Sequence, residues 1–401
     1  MEVTPSRVPD EALGTVSAAV AVDVTRRPAD PSPLRVLHVV SRSQRRGAEL
    51  VALELADELD RRGHRNRVVA LAPAFDGRRE PGLVPLGTSR GQRLPDLVAG
   101  AWRVRRLLGA EPPDVVLAHG GWPTQVVALA IGRRGPLLVW QRILGFPDKM
   151  WRPLRRHWWS VVAGRVDVAV ALTADQEGEL RRLGYRGPVW VIPNFRKPDR
   201  FRAIPRTEAA ARLRAEVGVP DGTPLLGFVG HLVRQKRPDR ALDVLAELRR
   251  RGCASHLVVA GAGPLRTDLE SQAQRLGLDG AVTFLGERDD VEWLLGGVDL
   301  ALLTSEAEGI PGVAIEAVMA GCPVVSVPVG GVAEVIEDGA TGLVLDTDDP
   351  AAIAQAVARL LADDEAREAL SRESRSRTDR FSASAAAAVY AERLTAALAK
   401  R

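Results

Sequence analysis

From residue 35 onward one unit recurs along the chain. A short apolar run is followed by a glycine-bearing turn, then by a stretch whose apolar residues return every three or four positions. The runs at 35–40, 68–71, 115–118, 137–140, 166–172 and 189–192 read as strands. The polar stretch 41–46 reads as a turn. After it Gly47 opens a helix that lines up Val51, Leu55 and Leu59 and stops at Gly63. The strands are apolar throughout instead of alternating, which predicts parallel sheets covered by helices on both faces. Residues 193–207 interrupt the rhythm with Pro193, Pro198 and Pro205 and read as a linker. The unit then restarts, with strands expected at 225–229, 255–260, 282–285, 300–303, 323–327 and 342–345, and an Ala-rich final helix at 382–400. The expected class is α/β, with two doubly wound halves. The 401 residues suit two domains better than one. In such sheets ligands bind beyond the carboxyl ends of the strands, so chemistry belongs in the loops that follow them.

Composition narrows the setting. Residues 1–34, rich in Ala, Pro and Asp, read as a disordered extension. No run approaches the ~18–20 apolar residues of a membrane span. The run 16–22 is short, is broken by Asp23 and follows Glu2, Asp10 and Glu11, a poor signal peptide. Two cysteines, Cys253 and Cys322, make no disulfide framework and suggest a reducing, cytoplasmic compartment. The six histidines are scattered without metal-ligand spacing. Residues 1–200 carry 32 Lys and Arg against 21 Asp and Glu, whereas residues 201–401 carry 23 against 30. The basic first half suits a phosphorylated acceptor or the inner face of an anionic membrane, and equally a solvated Arg-rich surface. The segment MWRPLRRHWW at 150–159 fits a membrane-interface helix, an acceptor pocket or, the reading favoured here, an ordinary amphipathic helix with its Trp packed inward.

The segment TSEAEGIPGVAIEAVMAG, residues 304–321, concentrates the chemistry. It follows a strand, and Glu308 and Glu316 flank a loop and a helix start. Amides at a helix N-terminus bind phosphate, glycines let a sugar approach the backbone, and each carboxylate accepts from hydroxyls. Glu316 lies in an apolar helical stretch and needs polar partners if buried. Lys236 and His231 follow another strand in LGFVGHLVRQKRP, residues 226–238, with Arg234 between them. Only four lysines occur, so Lys236 is informative. VVAGAGP at 258–264 carries a Gly261-x-Gly263-Pro264 turn, VTFLGERDDV at 282–291 carries Arg288, and VGGVAEVIEDGATG at 329–342 supplies turns. Each also has a bland reading: a capped helix, a solvated basic turn or a tight strand–helix connection.

Taken in order, these segments resemble glycosyltransferase family 4, the retaining glycosyl transferases of group 1. The E-x7-E, G-R-L-x-x-x-K, G-x-G-P, F-L-G-x-x-x-D-V and G-G-x-x-E patterns of that family all have counterparts, with His231 where Arg is commoner. The resemblance implies the GT-B fold: an acceptor-binding Rossmann-like domain at 35–200, a donor-binding one at 201–381 facing it across a cleft, and a helix 382–401 returning to the first. It implies that Glu308 and the loop Gly309, Ile310, Pro311, Gly312 and Val313 face the transferred sugar, that Glu316 holds the ribose, and that Lys236, His231 and Arg234 stabilise the diphosphate beside Gly263. Arg288 is the nucleobase candidate.

The first half matches more loosely. SRSQRRGAE at 41–49 is similar to the family's G-G-A-E loop but keeps only Gly47, with Arg45 and Arg46 offered toward an acceptor. DVVLAHGG at 114–121 places His119 where the family has a His on the donor sugar. Trp122 and Arg142 are further acceptor candidates, Arg142 standing where a second His is common. VIPNFRKPDRF at 191–201 departs from I-P-N-G by Phe195, a change expected to alter the hinge. The implied activity is metal-independent, cofactor-free transfer of a hexosyl group, with retention, from a UDP- or GDP-sugar to an acceptor hydroxyl in glycan, glycolipid or natural-product synthesis. No nucleic acid is expected as a partner. A nucleotide-sugar epimerase on the same fold and a non-catalytic sugar-nucleotide or membrane-binding protein are the alternatives.

Overall fold

The computed structural model describes residues 32–44, 47–74, 81–87, 94–132, 135–146 and 151–401. Most of the extension expected at 1–34, and the candidates Arg45 and Arg46, lie outside the described residues.

The apolar runs form two parallel sheets. In the first are β1 (Arg35–Ser43), β2 (Arg65–Pro73), β3 (Val84–Pro85), β4 (Val115–His119), β5 (Leu137–Gln141), β6 (Val168–Ala171) and β7 (Val189–Val191), in the spatial order β3-β2-β1-β4-β5-β6-β7. The second holds β8 (Leu225–Val229), β9 (His256–Ala260), β10 (Val282–Gly286), β11 (Leu300–Leu303), β12 (Val324–Ser326) and β13 (Gly342–Val344), ordered β10-β9-β8-β11-β12-β13. Each order reverses once, between β1 and β4 and between β8 and β11. A crevice opens at such a reversal beyond the strand ends, so each sheet brings one binding crevice. Two details differ from the sequence expectation. β1 runs on through the polar residues Arg42 and Ser43, because Arg42 and Ser43 still pair with Ala72 and Pro73 of β2. The two-residue β3 is too short to give an apolar run.

The linker carries more structure than its prolines announce, with a helical turn at Asp199–Arg202 and a helix Arg206–Val217. Beside it runs the return segment. Arg196 N donates to Phe381 O at 2.9 Å, and Ala383 N donates to Arg196 O at 2.9 Å. The final helix, Ala383–Ala399, then lies on the first sheet, burying Ala387, Tyr390 and Leu394 among Val36, Leu55 and Val139. The Tyr390 hydroxyl donates to Gln141 Oε1, and burial pushes that phenol well above its ordinary pKa. Phe195 occupies this same core, 1% exposed and edge-on to Tyr390 with ring centroids 6.5 Å apart. The departure from glycine at residue 195 therefore anchors the linker to the first sheet and the final helix.

The next residue ties the linker to the second sheet. Arg196 is 2% exposed, and its Nε donates to Glu316 Oε1 at 2.6 Å. Burial disfavours its charge, but Glu316 and then Glu54 outweigh burial and raise its pKa. Glu54, on the helix Gly47–Arg61, is buried as well. Burial above all, opposed by Arg196 and reinforced by Glu316, lifts its carboxyl to about 7. Its Oε2 has no hydrogen-bond partner among the described residues.

Two outcomes are expected. Phe195→Ala, which empties a core position, lowers stability by about 3 kcal/mol in chemical denaturation. Glu54 has a folded pKa above its unfolded value, so its favourable contribution is complete below about 4.5 and is lost as pH rises through about 7. Glu54→Gln removes this dependence: it matches the wild type at pH 5 and is the more stable of the two at pH 8, as thermal melts at the two pH values will show.

Candidate active site

The second sheet's crevice is built from the loops after β8 and β11. The loops are zipped together by Glu306 N to Gln235 O at 2.8 Å and Gln235 Nε2 to Ala307 O at 2.7 Å. This brings together two residues singled out from sequence: Lys236 Nζ lies 2.5 Å from Glu308 Oε1, which also accepts from Ser305 Oγ at 2.7 Å. The Glu308 side chain is only 6% exposed and that of Lys236 is 27% exposed, so the ammonium is the accessible partner.

After this loop comes the helix Gly312–Ala320, entered through Pro311 in an extended conformation and closed by Gly321 at φ +67°. No side chain caps its N-terminus among the described residues, and its first turn holds no acid. The first amides of a mostly buried helix are thus left for an anion. Ile310 is buried, and Asn194 Nδ2 donates to its carbonyl at 2.7 Å, so the linker also holds this loop. Glu316, one turn into the helix, is paired with Arg196, whose Nη2 would lie 2.1 Å from a Cβ at residue 312. Only glycine fits there. Val313 is half-buried beside it.

Glycines also shape the surroundings. A Cβ at Gly330, which has φ +47°, would meet Glu308 O at 2.2 Å, and Gly331 N donates to Gly309 O at 2.5 Å. The turn read as structural in 329–342 thus directly supports the Glu308 loop. At Gly309 a Cβ would come within 2.0 Å of Ile143 O, across from the first sheet. Gly261 and Gly263 pack on the backbone of Gly230 and Leu232, and so shape the loop that carries His231. His231 is half-buried and Arg234 exposed on this loop.

The first sheet contributes His119, the last residue of β4. It lies at that sheet's own reversal, next to Gly120, where a Cβ would touch Ile143 Cδ1 at 2.8 Å. Ile143 therefore links the end of β4 to the Gly309 loop. His119 is 1% exposed, and burial, then His38, hold its pKa well below the ordinary value, so it is neutral. Gly47 opens the helix after β1 with open space around it.

The acceptor candidates Arg142 and Trp122 are placed elsewhere. Arg142 is 2% exposed and its donors are spent internally, on Gln176 O at 3.0 Å, Leu144 O at 2.9 Å and Glu179 Oε2 at 2.7 Å. It is a buried strut of the first lobe and does not face an acceptor. Trp122 is 6% exposed in the core with Trp140 and Trp159, so it packs and does not line a cleft. Arg288 is held by Asp290 at 2.7 and 2.8 Å and by Glu216, which raise its pKa, so its charge is already matched. The Trp–Arg helix Pro153–Ala163 turns Trp159 inward onto Trp140, with centroids 5.1 Å apart, and leaves Arg152, Arg155 and Arg156 outside. Sequence reading missed Glu54, which lies in no recognisable motif, and Arg196, which lies in the segment 191–201 but was given no role there. It also missed His38, whose signal is a lone histidine inside an apolar strand. Among the described residues no three His, Cys, Asp or Glu side chains are grouped to hold a metal ion.

Comparison with known proteins fits this arrangement. The model of glycosyl transferases group 1 matches residues 210–377, and that of glycosyltransferase family 4 matches residues 45–200. The 2-deoxystreptamine glucosyltransferase of Streptomyces kanamyceticus is 32% identical over 176 residues, 43% of this chain and 45% of that protein. A D-inositol 3-phosphate glycosyltransferase of Corynebacterium jeikeium is 34% identical over 238 residues, 55% of this chain and 56% of that one. The chain thus spans about half the length of these curated relatives. The crystal structure of Anabaena HepE in complex with UDP and glucose has the same fold, with a TM-score of 0.76 at 21% identity over 90% of this chain and 99% of that one. With both halves matched in sequence and two reversed parallel sheets in the GT-B arrangement, the chain belongs to glycosyltransferase family 4, the group 1 glycosyl transferases.

Proposed function

We propose that this protein transfers a hexosyl group, with retention of configuration, from a nucleoside diphosphate sugar to an acceptor hydroxyl in glycan, glycolipid or natural-product synthesis. The observation that carries the reading is the Lys236–Glu308 pair beside the uncapped start of the helix Gly312–Ala320. It combines one accessible cation, a row of free amides and a carboxylate. A diphosphate leaving group gains negative charge as the bond to the sugar breaks, and positive groups fixed at that point stabilise the transition state more than the ground state. In this reading Lys236, His231 and the amides of Gly312 and Val313 hold the diphosphate. Glu308 and His119 orient the sugar, and Glu316, kept in place by Arg196, takes the ribose hydroxyls. The bond from C1 to the diphosphate oxygen breaks, and the acceptor oxygen bonds to C1 on the same face. The acceptor's proton passes to the departing phosphate oxygen, so no protein base is required.

UDP is the nucleotide best supported, because the structural neighbour holds UDP and glucose. The acceptors named for the two curated relatives, 2-deoxystreptamine and D-inositol 3-phosphate, favour a cyclitol as the first acceptor to test, before GDP-sugars and lipid-linked glycans are taken up. No helix among the described residues is long and apolar enough to cross a membrane. The helix Leu94–Ala110 nevertheless exposes Leu94, Val98 and Trp102 in one stripe, with Arg105 and Arg106 beside it. This stripe supports peripheral attachment to the anionic inner face of a membrane.

With a panel of UDP- and GDP-sugars, one donor is expected to bind and to release free sugar slowly without acceptor. Lys236→Ala should lower kcat about a hundredfold, and Glu316→Gln should raise the donor KM about tenfold. Sugar interconversion with the nucleotide still attached would mean an epimerase. No binding by folded protein would sink the reading. Sedimentation with vesicles tests the membrane part: retention on phosphatidylglycerol but not on phosphatidylcholine vesicles, reduced by Trp102→Ser, is expected, and equal recovery in both supernatants rejects it.

A further inference from the structure

A chain of polar groups runs across three adjacent strands of the first sheet, from the exposed Asp60 through the half-buried Asn66 to the buried pair His38 and His119. It begins with Asp60 at the end of the helix Gly47–Arg61, whose Oδ1 accepts from Asn66 N at 2.9 Å and from Asn66 Nδ2 at 2.8 Å. Asn66 lies on β2. Its Oδ1 is 3.1 Å from His38 Nε2, and His38, on β1, has its Nδ1 3.1 Å from His119 Nε2 on β4. The two imidazole planes are 17° apart and their centroids 5.4 Å apart, so the short N···N contact runs nearly along the line of centres. The rings therefore meet edge to edge with one proton between them. His38 is 0% exposed and His119 1% exposed, and no acid contacts either ring directly among the described residues.

The direction of every hydrogen bond follows from the first. A carboxylate accepts only, so the Asn66 amide must point its NH2 at Asp60 and its oxygen at His38. That oxygen requires a proton on His38 Nε2. A neutral imidazole has one proton, so His38 Nδ1 is an acceptor and His119 Nε2 must carry the proton between the rings. His119 Nδ1 is then a bare lone pair, and this atom is buried without a hydrogen-bond partner among the described residues. Leaving a buried acceptor unmatched is unfavourable, and a donor placed there recovers the loss.

We infer that Asp60, Asn66 and His38 form a positioning relay that fixes His119 as a hydrogen-bond acceptor, with Nδ1 reserved for a hydroxyl of the transferred sugar. The relay is a property of the fold. The sugar as its ligand rests on the function proposed above. None of the three relay residues touches the sugar. They act by setting the tautomer and orientation of the residue that does, as an outer partner does for a metal-bound histidine.

Long-range proton–nitrogen NMR correlation on histidine-labelled protein tests the relay directly, and six histidines keep the assignment tractable by single substitutions. In the wild type both His38 and His119 should be protonated on Nε2 only. His38→Leu should give His119 a mixture of tautomers, and kcat/KM for the sugar donor should fall about tenfold, one hydrogen bond's worth, while affinity for UDP alone stays unchanged. His38→Asn, whose Oδ1 can replace Nδ1 as acceptor, should restore both. Asn66→Leu, which leaves both histidines in place, should also mix the tautomers and serves if His38→Leu does not fold. A wild-type His119 protonated on Nδ1 overturns the relay, whatever the activity. So does equal loss of UDP and UDP-sugar binding in folded His38→Leu or Asn66→Leu. If the tautomers are as stated but the wild type turns over no donor, the relay stands and the proposed function fails.

Discussion

A guanidinium taken out of water loses several kcal/mol of solvation, and Arg196 regains it from carboxylates on two different lobes. Glu316 supplies the short contact, and Glu54 adds a smaller electrostatic attraction without a direct hydrogen bond among the described residues. The linker cannot shift against the helix Gly312–Ala320 without uncovering that charge. Nor can the helix turn, since Arg196 fills the space where a Cβ at residue 312 would stand. Phe195 fixes the same stretch in the opposite sense, by burying its ring against Tyr390. Two consecutive side chains, one apolar and one charged, therefore set where the second sheet's crevice lies relative to the first. The arrangement has a cost, visible in Glu54. With Glu316 closer to Arg196, Glu54 gets less of the cation than it needs, and its carboxyl holds its proton to about 7.

The strands were legible because buried parallel strands need apolar residues on both faces, and few other segments of this length have them. What the sequence hid was polar. β1 continues into Arg42 and Ser43 because backbone pairing does not depend on side-chain polarity there. Helical turns within a Pro-rich linker follow from packing between lobes, which no local pattern reports. Lys236 and Glu308, singled out from sequence, come together because the loops after the adjacent strands β8 and β11 converge where the sheet order reverses. The supporting residues could not be picked out. Arg196 and His38 are single residues whose function depends on groups 120 and 81 positions away. Arg142 shows the opposite error: standing where the family commonly has a second His, it suggested an acceptor role, yet its donors close on the carbonyls and carboxylate of its own lobe.

The crevice is shaped as much by missing side chains as by those present. Gly309 lies under Ile143 O, Gly330 against Glu308 O, and Gly312 under Arg196. At each point one lobe, or one loop, approaches the other more closely than any Cβ allows. The contacts at Gly309 and Gly330 are to backbone carbonyls, which have few alternatives and so fix position narrowly, and the guanidinium at Gly312 is held by its pairing with Glu316. They seat the Glu308 loop, which leads into the helix Gly312–Ala320, against Ile143, the residue that also packs on Gly120 at the end of β4. His119 then needs no freedom of its own: it is buried, neutral and held at one nitrogen. Groups held by close backbone packing and by a buried partner give up adaptability, and what they gain is a fixed orientation that needs no rearrangement at the moment of reaction.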